Sequence, residues 1–265
     1  MTAEAGANVT TAIAANGVAT LTIDREEKRN ALDRATLREL EAALDAAAID
    51  KAVRAIVLRG AGDKVFCAGA DLKEVLGHAS MDESRLHFDG VVRVMRAIER
   101  APQPVIARVP GFALAGGFGL AVAADITVAG ESAQFGLPEI TLGLLPLMVS
   151  VPILRAVGSR KVLLDLVLTG RRVGAREALA LGITTRVVPD AQLDAEIAKL
   201  CETLISYSPS TLRMGKEAVY TMAEMEAHAA LTYLREAIIL TSRTADAQEG
   251  IAAFFEKRSP KWTGR

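Results

Sequence analysis

An α/β core followed by a helical module is the architecture the sequence predicts, on three observations. Strand-like and helix-like segments alternate from Val9 to about residue 188, the pattern of a sheet built by successive crossovers. Beyond residue 193 only amphipathic helices follow, which sets the C-terminal part of the chain apart. Hydrophobic residues make up 51% of the 265 and aromatic residues only 4%, so the interior is aliphatic and large enough to hold without staples. The division falls at about residue 195, with 1–195 as the core and 196–265 as the helical module.

Each element has its own signal. Val9–Ile13 and Val18–Ile23 flank Asn16-Gly17, a strong short hairpin cue. Asp33 is placed to cap a helix running to residue 49, with Leu37, Leu40 and Leu44 at helical spacing. Residues 54–59 read as a buried strand stopped by Gly60. Met81–Arg100 reads as a helix with Val91, Val92, Met95 and Ile98 on one face. A strand over 104–109 ends at Pro110-Gly111, and the small residues over 115–124 predict a tightly packed helix before a strand at 126–128. A helix over 175–181 and a strand over 184–188 complete the core. Helices over 193–207, Pro209–Met222 and 226–241 form the module.

Composition excludes several function classes. Thirty-one Lys and Arg balance 32 Asp and Glu, a net charge of −1, so the chain has no global basic field for nucleic acid and is not disordered. Two cysteines, Cys67 and Cys201, are too few for a disulfide framework. The first residues carry no basic and apolar signal-peptide pattern and read as a short frayed tail. The most apolar stretch, 105–129, is broken by Arg108, Pro110, Asp125 and several glycines, which makes it buried core rather than a membrane span. A cytoplasmic protein with no membrane partner is expected.

Common catalytic signatures fail. His78, His87 and His228 show no metal-ligand spacing, so no metal is expected, and each reads as a surface or packing residue. There is no Gly-x-Ser-x-Gly elbow. The run Gly111-Phe-Ala-Leu-Ala-Gly116-Gly117-Phe-Gly119 fails as a phosphate loop because Gly117 stands where Lys is needed. By itself it reads as glycines that let a helix approach a strand. A second loop, Phe66-Cys-Ala68-Gly69-Ala70-Asp71-Leu72-Lys73, also leaves a strand. Two such loops can each present a backbone N–H, and two converging donors make an oxyanion hole. Glu139, after Pro138 in an apolar run, is a candidate acid–base group, since apolar surroundings disfavour its charge. The plainer reading is a solvated loop carboxylate.

Taken in order, these segments resemble the crotonase superfamily, the enoyl-CoA hydratases and isomerases. The match runs through Phe66-Cys-Ala-Gly-Ala-Asp-Leu-Lys-Glu74, Pro110 to Leu120, Ala124-Asp-Ile126, Ala133-Gln-Phe-Gly-Leu-Pro-Glu139, Leu168-Thr-Gly170 and Gly250 to Arg258, from about Val9 to Trp262. The resemblance implies a ClpP-like spiral of β-β-α turns with C-terminal helices that trimerise, giving a homotrimer or a dimer of trimers. It implies an acyl-CoA thioester as substrate, coenzyme A being part of that substrate, with no separate cofactor. The N–H groups of Ala70 and Gly116 would hold the thioester oxygen and stabilise an enolate; one such donor is worth ~2.7–4 kcal/mol in a transition state. Glu139 would be the acid–base residue. Ala68, Asp71 and Leu72 would wrap the adenine, with Gly117 and Gly119 in the same acyl-CoA site. Lys28 and Arg29 would meet CoA phosphate, and Phe254 and Lys257 would reach the nucleotide from a neighbouring subunit.

One position departs from the hydratase pattern. Those enzymes pair two glutamates twenty residues apart around one water, and here the first position is Gly119. A single glutamate suffices to take a proton from one carbon and return it to another, so Gly119 shifts the expectation from hydration towards double-bond isomerisation and leaves extra room. Leu147 replaces the aspartate of dienoyl-CoA isomerases and aryl-CoA dehalogenases, which argues against both. The reading from another class is a non-catalytic acyl-CoA- or RNA-binding relative, with which Gly119 is consistent and Glu139 is not.

Overall fold

The computed structural model describes residues 7–77 and 79–265; the N-terminal tail over residues 1–6 and His78 lie outside them. The hairpin forms as its sequence predicts: β1 (Val9–Ile13) pairs antiparallel with β2 (Val18–Ile23), Val9 opposite Ile23. Next comes α1 (Arg34–Ile49), capped by the Asp33 carboxylate, which accepts from the Thr36 N–H at 2.8 Å. Its Leu37, Leu40 and Leu44 are buried.

A repeated step then builds two sheets. β3 (Ala55–Gly60) is followed at once by β4 (Val65–Cys67), then α2 (Leu72–Gly77) and α3 (Met81–Arg100). β5 (Val105–Val109) is followed by β6 (Phe112–Leu114) and α4 (Gly116–Ala123). β7 (Ile126–Gly130) is followed by β8 (Gln134–Gly136). The longer strand of each pair joins a six-stranded sheet of order β1-β2-β3-β5-β7-β10, where β10 is Arg186–Val188. The three-residue strand joins a second sheet of order β4-β6-β8-β9, where β9 is Arg172–Gly174. Pairing is parallel except at the β1–β2 and β8–β9 edges. This is a β-β-α spiral, as the resemblance implies. The four short strands are too brief for a period-two pattern, and the sequence reading passed over them.

Between the sheets and the C-terminal helices lie α5 (Ser150–Val157), α6 (Arg160–Thr169) and α7 (Ala175–Ala180). The helical part comprises α8 (Leu193–Ile205), α9 (Pro209–Met222), α10 (Ala227–Ser242) and α11 (Ala245–Glu256), of which α11 had no sequence counterpart. α8, which straddles residue 195, packs Leu193, Ile197, Leu200 and Cys201 against Val57, Ile106 and Val128 of the large sheet. Arg108 of β5 reinforces that seam, its buried guanidinium bridging Asp194 at 2.5 Å and Asp63 at 2.9 Å. α9 is tied to the core by Lys216, whose ammonium donates to the Ile98 and Gln103 carbonyls and pairs with Asp125 at 2.7 Å. α10 buries no residue in the single chain. Among the described residues no helix is long and apolar enough to cross a membrane, and Cys67 and Cys201 are separate buried thiols.

Candidate active site

Both glycine loops leave strands of the small sheet, and parallel β4–β6 pairing brings them side by side. In the first, Gly69 sits at φ +94°, a conformation that favours glycine. The neighbouring backbone groups are used: Ala68 N–H donates to Arg29 carbonyl, Leu32 N–H to Gly69 carbonyl and Asp71 N–H to Leu32 carbonyl. Ala70 N–H is passed over, donating to no protein acceptor among the described residues.

In the second loop, Ala115 holds φ +51° and ψ −124°, a strained conformation for a residue with a side chain. That turn starts α4 and leaves the N–H of Gly116, its first helical residue, likewise without a protein acceptor among the described residues. The two donors are close: a β-carbon built on Gly116 would lie 3.9 Å from Ala70 N.

A cavity of about 180 Å³ opens beside them, lined by Ala68, Ala70, Leu72, Ala115 and Gly116 together with residues of the 138–149 segment. Glu139 stands on its wall in a short 3₁₀ turn, Pro138–Leu142. Its Oε2 is buried and has no hydrogen-bond partner among the described residues. Burial pushes the carboxyl above its ordinary value, opposed only by its own backbone N–H. The rest of the wall is aliphatic, apart from Phe88 and His87.

Ala70, Gly116, Glu139, Ala68 and Leu72 are thus brought together, and the remaining candidates fall elsewhere. A β-carbon on Gly117 would meet the Cys67 carbonyl oxygen at 2.2 Å, and one on Gly119 would meet Val149 Cγ1 at 2.3 Å. Neither glycine lines the cavity; both let α4 press against its neighbours. The extra room expected at Gly119 does not exist, because the Val149 side chain fills it. Asp71 turns into the protein, pairing with Arg25 at 3.0 Å, and Arg25 also pairs with Asp33 at 2.8 Å. Burial raises the Asp71 carboxyl, but the Arg25 hydrogen bond and the charges of Arg25 and Lys28 outweigh it and hold it below its ordinary value. Lys28 is half exposed, 3.8 Å from Asp71, and Arg29 is exposed beside it, so both bases stand at the outer edge of the first loop. Phe254 and Lys257, at the end of α11, do not reach the cavity within one chain; Phe254 is 79% exposed and lines a separate apolar hollow with Trp262.

The sequence reading missed two residues. Arg25 gave no motif. His87 is fully buried on the cavity wall, and its signal was its spacing from Val91, Val94 and Ile98, the buried stripe of α3.

Comparison with known proteins agrees with this architecture. Residues 14–265 match the family model described as enoyl-CoA hydratase/isomerase. A Rhizobium meliloti (strain 1021) protein named as a probable enoyl-CoA hydratase is 41% identical over 249 residues, covering 94% of this chain and 95% of its own length. Carnitinyl-CoA dehydratase of Escherichia coli (strain K12) is 36% identical over 249 residues, covering 92% and 94%. The crystal structure of an enoyl-CoA hydratase of Mycobacterium smegmatis superposes with a TM-score of 0.93 at 36% identity, covering 96% of this chain and 98% of that one. The chain belongs to the enoyl-CoA hydratase/isomerase family of the crotonase superfamily.

Proposed function

We propose that the protein moves or hydrates the double bond of an enoyl-CoA thioester through an enolate, with Glu139 as the acid–base residue. The observation that carries this reading is the unpartnered Glu139 Oε2 in an apolar cavity beside two unused N–H groups. The Ala70 and Gly116 N–H groups donate to the thioester oxygen, whose charge grows as a proton leaves carbon. Glu139, kept protonatable by burial, removes that proton and returns it at another carbon. Val149 closes the position of a second carboxylate, which favours double-bond migration for a site working with Glu139 alone. Ala68 and Leu72 border the CoA path, with Lys28 and Arg29 at its outer edge. A homotrimer or a dimer of trimers is supported by Leu231, Ile238, Ile239 and Leu240, all exposed on α10.

Purified protein offered 3-enoyl-CoA and 2-enoyl-CoA tests the reading. Double-bond migration, water addition or both are expected, each falling at least about a hundredfold in Glu139→Gln. Turnover left intact in that variant would overturn the role of Glu139.

A further inference from the structure

We propose that His87 is the second acid–base group of this cavity and gives the enzyme a route to water addition. The inference rests on the enolate reading above and extends it. Among the described residues, His87 and Glu139 are the titratable side chains on the cavity wall; everything else there is apolar or backbone. They come from different elements, His87 from the first turns of α3 and Glu139 from the turn after β8, and both line the same cavity. His87 is fully buried and continues the stripe of Val91, Val94 and Ile98, where an apolar residue would serve packing alone.

The chemistry requires such a group. Adding water across C2=C3 needs a base for the water and an acid for C2. Gly119 cannot be backed up by a carboxylate, because Val149 occupies that space. Imidazole is the side chain best suited to take a proton from water and release it near neutral pH. In the proposed step, neutral His87 takes a proton from water as the water oxygen bonds to C3. The C2–C3 π pair moves into the thioester enolate, held by the Ala70 and Gly116 N–H groups. That pair then forms a C2–H bond with the proton of Glu139. His87 releases its proton to solvent and Glu139 takes one up, so one water is consumed and nothing is oxidised or reduced. Migration of the double bond needs Glu139 alone.

The test is the ratio of water addition to double-bond migration, measured on the purified full chain with 2-enoyl-CoA and 3-enoyl-CoA. In His87→Gln the ratio is expected to fall about a hundredfold, through kcat for hydration rather than KM. In His87→Ala, added imidazole is expected to restore part of the hydration. A merely structural role would lower both activities together, leave the ratio unchanged and give no rescue, and that result would overturn the proposal. So would a parent enzyme that migrates double bonds but adds no water to any 2-enoyl-CoA, an outcome that leaves Glu139 in its role. Loss of neither activity in Glu139→Gln would instead strike the underlying reading.

Discussion

Val149 Cγ1 stands 2.3 Å from where a β-carbon on Gly119 would lie, although thirty residues separate the two in sequence. The contact seats the start of α5 against α4 and leaves no space for a side chain at position 119. Gly119→Ala is expected to cost about 1–3 kcal/mol by overpacking. Val149→Ala should relieve part of that cost in the double variant, a coupling of ~0.5–3 kcal/mol read from urea unfolding. Gly119→Glu alone should not raise hydration; a gain in hydration would show that Val149 yields more easily than its close contact implies.

Burial of Glu139 ties its protonation to stability with a definite sign. Its folded carboxyl titrates above its ordinary value of 4.5, so the folded state holds the proton more tightly than the unfolded chain. That stability is present below pH 4.5 and is lost as the pH rises through the folded value. Glu139→Gln should therefore be more stable than the parent at pH 7, with the gap closing as the pH falls towards 4.5. Thermal melting of both proteins across that range checks it.

Ala115 stores strain to aim the Gly116 N–H, since φ +51° with ψ −124° costs of order 1–3 kcal/mol for a residue with a β-carbon. Ala115→Gly should keep activity and leave stability within about 1 kcal/mol, because relieved strain offsets added chain entropy. Ala115→Val should lose several kcal/mol and most turnover. Equal behaviour of the two variants in unfolding and turnover would mean that the turn is not strained.

Asp246 anchors the chain's end. It is fully buried and accepts from Ser208 Oγ at 2.6 Å, Thr263 N at 2.7 Å and Gly264 N at 3.0 Å. Burial raises its carboxyl, but these hydrogen bonds prevail and bring it down to about 2. Its contribution is present above its ordinary value of 3.8 and disappears as the pH falls towards 2. Asp246→Asn is expected to lose ~1.5–3 kcal/mol at pH 7, with the deficit shrinking over that acid interval in denaturant titrations.

Much of this molecule is written locally. The Asn16-Gly17 hairpin, the Asp33 cap of α1, the apolar stripe of α3 and the ordered family segments each depend on a few consecutive residues, and the sequence by itself determined them. It also named Ala70, Gly116 and Glu139 as candidates, which line one cavity, because the motifs that carry them are contiguous. Tertiary structure alone decided the rest. The strands β4, β6, β8 and β9 are three residues long and owe their form to pairing partners. Arg25 takes Asp71 across 46 positions of chain, Val149 fills the space over Gly119, and the α3 register turns His87 into the cavity. Propensity and periodicity report how a residue treats its near neighbours, whereas occupancy of a cavity depends on which distant side chain arrives there first.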